Sequence, residues 1–259
     1  MHGQQRYLNK MRQFARKTFL TLAVFCGLFF ILTIPTSTDE VRDNSSVLYS
    51  VEQVKLNPFE EQARLATVKI LVGMNGHGTG TLFKYGDKTL VFTAAHVTSF
   101  GKNYLYLVKN IYEEKKTGRL IYIDKKLDFA VLLVDDFDTV KPLPFKKKEF
   151  NPKNLIDLEV FFCSYPAQHS VLTSRGRVAG FEEEFLLINS VAWKGSSGAS
   201  IFTRNGEFIG ILFAISIDKP FGVPSLIDNI IWISPYYYID WSELDEAIEK
   251  LDEKKEKKK

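Results

Sequence analysis

From Thr67 onward the chain is a ladder of short apolar runs separated by turn residues, and this pattern leaves few folds open. Runs fall at Thr67–Met74, Gly80–Tyr85, Thr89–Thr93, Leu105–Val108, Leu120–Ile123 and Ala130–Val134. Others follow at Leu158–Cys163, Arg177–Phe181, Phe185–Asn189, Ala199–Thr203 and Phe208–Ile215. They are rich in Val, Ile, Phe and Thr, which suit a pleated, half-buried surface. Gly86-Asp87 and Asn205-Gly206 lie between such runs, and both pairs tolerate the positive φ angles of tight hairpins. Many short strands with few helices predict antiparallel barrels or a sandwich. With 259 residues, 45% of them apolar, the chain can bury one large core or two small ones.

Three segments beside these runs carry reactive side chains in a fixed order. They are Thr93-Ala94-Ala95-His96, Leu127-Asp128-Phe129-Ala130-Val131-Leu132 and Gly195-Ser196-Ser197-Gly198. Singly they say little. A histidine after Thr-Ala-Ala is ordinary in a core or on a surface, and Gly-Ser-Ser-Gly is an ordinary flexible turn. Asp128 can simply begin a strand, and Asp124 is its rival for an orienting role. Together they match the needs of acyl transfer: a nucleophilic hydroxyl, an imidazole to take its proton and a carboxylate to orient the imidazole. Backbone N–H groups must also face the developing oxyanion, and glycine lets the chain turn tightly enough to aim them. The order His, Asp, Ser argues against an α/β-hydrolase, where the serine comes first and the histidine last. The Gly-x-Ser-x-Gly elbow of that fold is broken too, by Ala199 two residues after Ser197 and Lys194 two before Ser196.

The segment Gly78-Thr79-Gly80-Thr81-Leu82-Phe83, followed by Thr89 to Val97, resembles the start of trypsin-like serine proteases, especially the compact HtrA and bacterial or viral branches. Phe162-Cys163-Ser164-Tyr165-Pro166, Gly176-Arg177-Val178-Ala179-Gly180 and Gly206-Glu207-Phe208-Ile209-Gly210-Ile211 are similar to later parts of the same pattern. The resemblance runs from about Ala66 to about Trp241. It selects an all-β fold of two antiparallel, six-stranded, chymotrypsin-like barrels with a C-terminal helix. It implies His96 as general base, Asp128 as its orienter and Ser197 as nucleophile, in a cleft between the barrels. The oxyanion hole would be the N–H groups of Gly195 and Ser197. The wall of the specificity pocket would come from Val191 and Ala192 and from Phe213, Ala214 and Ile215. None of these is acidic, which argues against a preference for Lys or Arg, and Ile215 would favour a small or medium apolar side chain. The chain departs from the pattern at Ser196, where the digestive enzymes carry an aspartate that receives a newly cleaved amino terminus. Lys69-Ile70-Leu71-Val72-Gly73 is similar to an activation site only superficially, because it falls inside a predicted strand. An enzyme active without amino-terminal processing is therefore expected. Ala199 stands where glycine is common, a small-for-small change.

The amino terminus is the second signal. Arg6, Lys10, Arg12, Arg16 and Lys17 precede an uncharged 17-residue run from Thr18 to Ile34, and Asp39, Glu40 and Asp43 follow it. The bias in Lys and Arg puts the amino terminus in the cytoplasm and the bulk of the chain across the membrane. The run is long for a signal-peptide core and at the lower limit for a spanning helix, and no Ala-x-Ala site follows. A retained signal-anchor with an extracytoplasmic protease domain is favoured, with secretion after cleavage as the alternative. The division expected is a basic segment (1–17), an apolar helix (18–35), a linker (36–63), a protease domain (64–242) and a helix with a charged tail (243–259).

Other chemistry is sparse. Cys26 lies in the apolar run and Cys163 in a predicted strand, so no disulfide is expected within the folded domain. Phe161 and Phe162 mark Cys163 as a buried, inert thiol. There is no His-Glu-x-x-His motif and no cysteine pair, so neither metal nor cofactor is expected. Gly76-His77-Gly78-Thr79-Gly80 lacks the Gly-Lys-Ser/Thr of a phosphate loop and reads as a turn entering a strand, with His77 a loop histidine of no catalytic role. Trp241, Leu244, Ile248 and Leu251 share a helical face, and Asp240 with Glu243 fits a capping box. Asp252 to Lys259 reads as a solvated tail, too short for a PDZ domain. A net charge of +3, carried mostly at the ends, points to no nucleic acid. The partners expected are a peptide or protein substrate and the membrane. Two other readings stay open: a protease-like binding module without activity, and a tethered scaffold.

Overall fold

Among the residues that the computed structural model describes (56–73, 76–147, 152–218 and 225–256), the first element is a helix, α1, Pro58–Ala66. The expected linker (36–63) is thus helical over its last residues. The start signal of the helix is local. The Asn57 side chain accepts the Glu60 N–H at 2.8 Å, the Glu60 carboxylate accepts the Asn57 N–H at 2.9 Å, and Pro58 opens the first turn. Glu60 also takes both Nε and Nη2 of Arg175, at 3.1 and 2.9 Å, tying the helix to a distant strand.

Six strands then close a barrel: β1 (Thr67–Val72), β2 (Gly76–Tyr85), β3 (Lys88–Ala94), β4 (Leu105–Lys109), β5 (Lys115–Asp124) and β6 (Phe129–Val134). They pair in the order β1-β4-β5-β6-β3-β2, and β2 returns to β1. The two-residue β7 (Leu143–Pro144) adds in parallel to β2. Gly76 to Gly80 is not the expected turn. It is paired strand, from Val72 opposite Gly76 to Thr67 opposite Thr81. The Gly86-Asp87 hairpin joins β2 to β3 as predicted, with Gly86 at φ +60°.

The second barrel comprises β8 (Glu159–Ser164), β9 (Leu172–Glu182), β10 (Phe185–Asn189), β11 (Ser200–Thr203), β12 (Phe208–Asp218) and β13 (Ser225–Pro235). It closes in the order β10-β13-β12-β11-β8-β9. The expected all-β fold of two closed six-strand barrels is therefore present. β13 was not anticipated, although Ile230-Ile231-Trp232-Ile233 has a strand's composition, and without it the barrel would stay open. The apolar helix expected at 18–35 lies outside the described residues.

Register explains where the apolar residues go. Ile70 faces Val108, Leu82 faces Val91, and Val91 faces Leu132, so these side chains share the interior of barrel one. The alternate positions Phe83, Phe92 and Phe129 point outward, yet they are buried too. They meet Phe202 and Phe208 of barrel two and Trp241 of the last helix, α2 (Trp241–Glu256), with ring centroids 5.3 to 6.1 Å apart. This aromatic seam joins barrel to barrel and helix to both, each pair adding roughly 0.5–1.5 kcal/mol beyond its buried area. The interior of barrel two is mainly aliphatic, with Val160, Val178, Leu186, Ile188, Ile201, Ile209, Ile231 and Ile233. Asp240 caps α2 by accepting the Ser242 N–H at 2.9 Å. The helix runs on to Glu256, so the start of the expected tail is helical. Cys163 is a free, buried thiol, and burial pushes its pKa up to about 11, which leaves it unreactive.

Candidate active site

β3 ends at Ala94, and the single turn Ala95–Thr98 carries His96 out of the sheet. β6 lies beside β3, with Ala94 opposite Phe129, so the residue before Phe129 arrives next to His96. That residue is Asp128. Its Oδ1 accepts the His96 N–H at 2.8 Å and its Oδ2 meets His96 Nδ1 at 2.6 Å. Its carbonyl also accepts the Ala95 N–H at 2.9 Å. Because a carboxylate only accepts, Nδ1 carries a proton, and in the neutral imidazole the lone pair is on Nε2. Asp128 holds φ at +50°, a conformation that aspartate tolerates better than most residues. Tyr106 donates its hydroxyl to the Thr98 carbonyl at 2.6 Å and fixes the far end of the turn. Asp124 is otherwise engaged. Its Oδ1 accepts the N–H groups of Lys126 and Leu127, at 2.8 and 3.0 Å, and shapes the turn into Asp128.

Ser197 lies between β10 and β11, and a count of backbone groups defines its setting. The carbonyls of residues 193 to 197 are all occupied. Trp193 O accepts from Ser196 N (2.9 Å), Lys194 O from Ala167 N (2.6 Å) and Ser196 O from Ala199 N (3.0 Å). Gly195 O accepts from the Thr79 hydroxyl at 2.7 Å, and Ser197 O from Thr79 N at 2.8 Å. The Gly198 N–H donates to Leu212 O at 2.7 Å. Among the described residues, the N–H groups of Gly195 and Ser197 donate to nothing. Since the C=O and N–H of a trans peptide point in opposite directions, the bond from Ala167 to Lys194 O turns the Gly195 N–H away from Ala167. Gly195 at φ +97°, after the Trp193-to-Ser196 bond, gives a type II turn.

The same loop is docked on barrel one. Gly198, at φ +92°, lies so close to Thr79 O, the Thr93 hydroxyl and Ala94 N that no Cβ fits there. Thr93 and Ala94 lead directly into the turn of His96, so this contact brings the serine loop to the histidine. The two hydroxyls of Ser164 and Ser196 pair at 3.1 Å in the buried position where an acidic side chain would need a cationic partner. The structure brings His96 and Asp128 together by two hydrogen bonds, but forms none between His96 and the Ser197 hydroxyl. Such contacts are often long before substrate tightens them.

The expected pocket wall is only partly assembled. Ala192 is buried in the core of barrel two, and half-buried Ile215 packs against the same apolar cluster. Val191 is exposed. Phe213 turns toward Phe185, centroids 4.8 Å apart. Ala214 sits opposite Trp232 in the β12–β13 ladder. Beyond Leu212, β12 has left β11, and among the described residues β13 is its one strand partner, which leaves its other edge unpaired. Thr79, Ser164 and His77 are the contributors that sequence reasoning missed, because each acts through contacts to residues remote in the chain.

Two closed barrels, one carrying a His–Asp pair and the other a serine loop docked beside it, have the layout of the trypsin-like peptidase fold. The comparisons agree. The chain belongs to the trypsin-like peptidase domain family, whose profile matches residues 78–211. Among solved structures it is similar to the serine endoprotease from Yersinia pestis, with a TM-score of 0.55 and 20% identity. That alignment covers 71% of this chain and 63% of the Yersinia chain, and at this identity the likeness is one of fold. No curated protein sequence matches the chain.

Proposed function

We propose that the chain is a serine endopeptidase whose triad is His96, Asp128 and Ser197. The observation that carries this reading is the pair of unused N–H groups on Gly195 and Ser197, in a loop docked beside a histidine already paired with a carboxylate. His96 Nε2 takes the Ser197 proton as the hydroxyl oxygen attacks a peptide carbonyl, and the two N–H groups hold the oxyanion. The C–N bond then breaks, and His96 passes its proton to the leaving amine. Water repeats the sequence on the acyl-enzyme. The unpaired edge of β12 beyond Leu212 suits a substrate strand, with Val191, Ala192, Phe213, Ala214 and Ile215 at the residue before the scissile bond. Ile215, half-buried against the core of barrel two, favours a small or medium apolar side chain there. The Ser164–Ser196 hydroxyl pair supports activity without amino-terminal processing.

The test is labelling of the full-length chain by a fluorophosphonate probe. The parent should be labelled and Ser197→Ala should not. Labelling of both would remove Ser197 as nucleophile. Labelling of neither would favour the binding-module reading.

The basic residues before Thr18 and the apolar run to Ile34 support tethering to a membrane with the protease domain outside the cytoplasm. Among the described residues no helix is long and apolar enough to cross a membrane, and the run lies outside them. Retention of the chain in membranes after alkaline extraction checks the tether. Release into the soluble fraction would sink it.

A further inference from the structure

His77 lies on β2, two residues before Thr79, and faces the back of the serine loop. Its Nε2 is 2.8 Å from the Tyr165 carbonyl. A carbonyl only accepts, so Nε2 carries the proton. Burial lowers the pKa of His77, and the charges of Lys69, Lys194 and Lys109 act in the same direction against a second proton. A Cβ placed on Gly195 would lie 2.5 Å from both His77 Nε2 and Tyr165 O. The imidazole and the carbonyl it binds therefore close the space directly behind Gly195.

Tyr165, whose carbonyl His77 binds, begins the segment that helps to set the peptide planes on either side of Gly195. The Tyr165 N–H donates to the Thr79 hydroxyl at 3.0 Å, and that hydroxyl donates to Gly195 O at 2.7 Å. Two residues further on, the Ala167 N–H holds Lys194 O at 2.6 Å. Ala167 does so at φ +49°, a conformation alanine adopts only when its surroundings impose it. The segment 165–167 is thus a strained clamp on the loop, and the bond from His77 to Tyr165 O restrains its first residue.

We propose that His77 is a positioning residue for the Gly195 N–H, acting through the Tyr165–Ala167 clamp. The inference rests on Gly195 as an oxyanion donor, and it assigns a role to a histidine that touches neither Ser197 nor His96. Without the donor on His77, Tyr165 O loses its restraint and Ala167 can relax from its left-handed conformation. The Lys194–Gly195 peptide then turns, and the Gly195 N–H leaves its aim. The serine and its base stay where they are.

The experiment compares the full-length parent with His77→Leu and His77→Gln. Glutamine places an N–H donor at nearly the position of histidine Nε2, whereas leucine fills the space without a donor. The maximal rate of fluorophosphonate labelling should fall about 10- to 100-fold in His77→Leu, the scale of a donor misplaced by a fraction of an ångström. The half-saturating probe concentration should hold, and His77→Gln should recover most of the rate. Parent-like labelling of His77→Leu would overturn the inference. So would equal loss in both variants, or a loss that tracks a fall in Tm. If the parent itself is not labelled, the enzyme reading fails separately, and the amide resonance of Gly195 decides the role of His77. It must shift in His77→Leu and stay in place in His77→Gln, and any other pattern overturns the proposal.

Discussion

His96 and Asp128 leave strands that are paired residue for residue, β3 beside β6, whereas Ser197 rides on a connection whose shape comes from contacts outside its own hairpin. In barrel one the sheet itself sets the distance between the two side chains. In barrel two the loop borrows its form from Thr79, Ala167, Ser164 and the back of Gly198. Changes in the first half should therefore alter chemistry while sparing the fold. Changes in the second should alter the assembly of the site as a whole.

The largest effect expected is that of Asp128→Asn. The amide still fits, and one of its atoms can still accept the His96 N–H. But its NH₂ group cannot accept from Nδ1–H, so the imidazole is driven to the wrong tautomer. A rate loss of about 10⁴ in turnover of a peptide substrate follows by analogy with other triads. The Tm should barely move. A variant that also loses much of its stability would break the contrast, because the strand-mounted half would then depend on the carboxylate for its shape.

Gly198→Ala probes the other half and should come next in size. The added methyl meets backbone at Thr79 and Ala94 and needs a φ of +92° that alanine resists. The loop must lift from barrel one, carrying Ser197 away from His96. Fluorophosphonate labelling should fall by about 10²-fold or more, with a stability loss of roughly 2–4 kcal/mol read by thermal melting. Labelling at the parent rate would show that the serine loop finds its place without docking on barrel one.

The same contrast sets what was legible in the sequence. Strand runs and the Gly86-Asp87 turn are local signals that put His96 and Asp128 beside predicted strands, the resemblance puts both in the first barrel, and the structure makes the two strands neighbours. The residues alone leave Asp124 as a rival; the resemblance chooses Asp128, and the register of β3 with β6 gives the physical reason. Asn57-Pro58-x-Glu60 is a readable helix start, a local capping signal that stands just before the strand pattern begins. β13 was masked by its distance from the last recognised run, though its composition was plain. The Thr79 and His77 contacts behind Gly195 were beyond reach, since the partners stand more than 85 residues apart in sequence. Side chains that act through a remote backbone leave no periodicity to read.

A smaller effect sharpens the comparison from outside the cleft. Helix α1 bridges the barrels: Thr67 donates its hydroxyl back to Ala63 O at 2.7 Å, and Glu60 grips Arg175 on β9. Burial alone would raise the pKa of Glu60, but the bonds from Arg175 and the Asn57 N–H outweigh it and leave the carboxyl below its ordinary value. A lowered folded-state pKa means that the ionised form stabilises the fold. That contribution is complete above the unfolded-state value near 4.5 and is lost as pH falls through the lower folded value. Glu60→Gln keeps an acceptor but drops the charge, and half-exposed Arg175 can turn to water, so the cost at pH 7 should be about 1 kcal/mol. Melting curves from pH 7 to pH 3 should show the gap to the parent closing below pH 4.5, while labelling at pH 7 stays at the parent rate. A gap that widened in acid would reverse the sign assigned to Glu60. A drop in labelling without one in Tm would mean that α1 acts on the serine loop rather than on the join between the barrels.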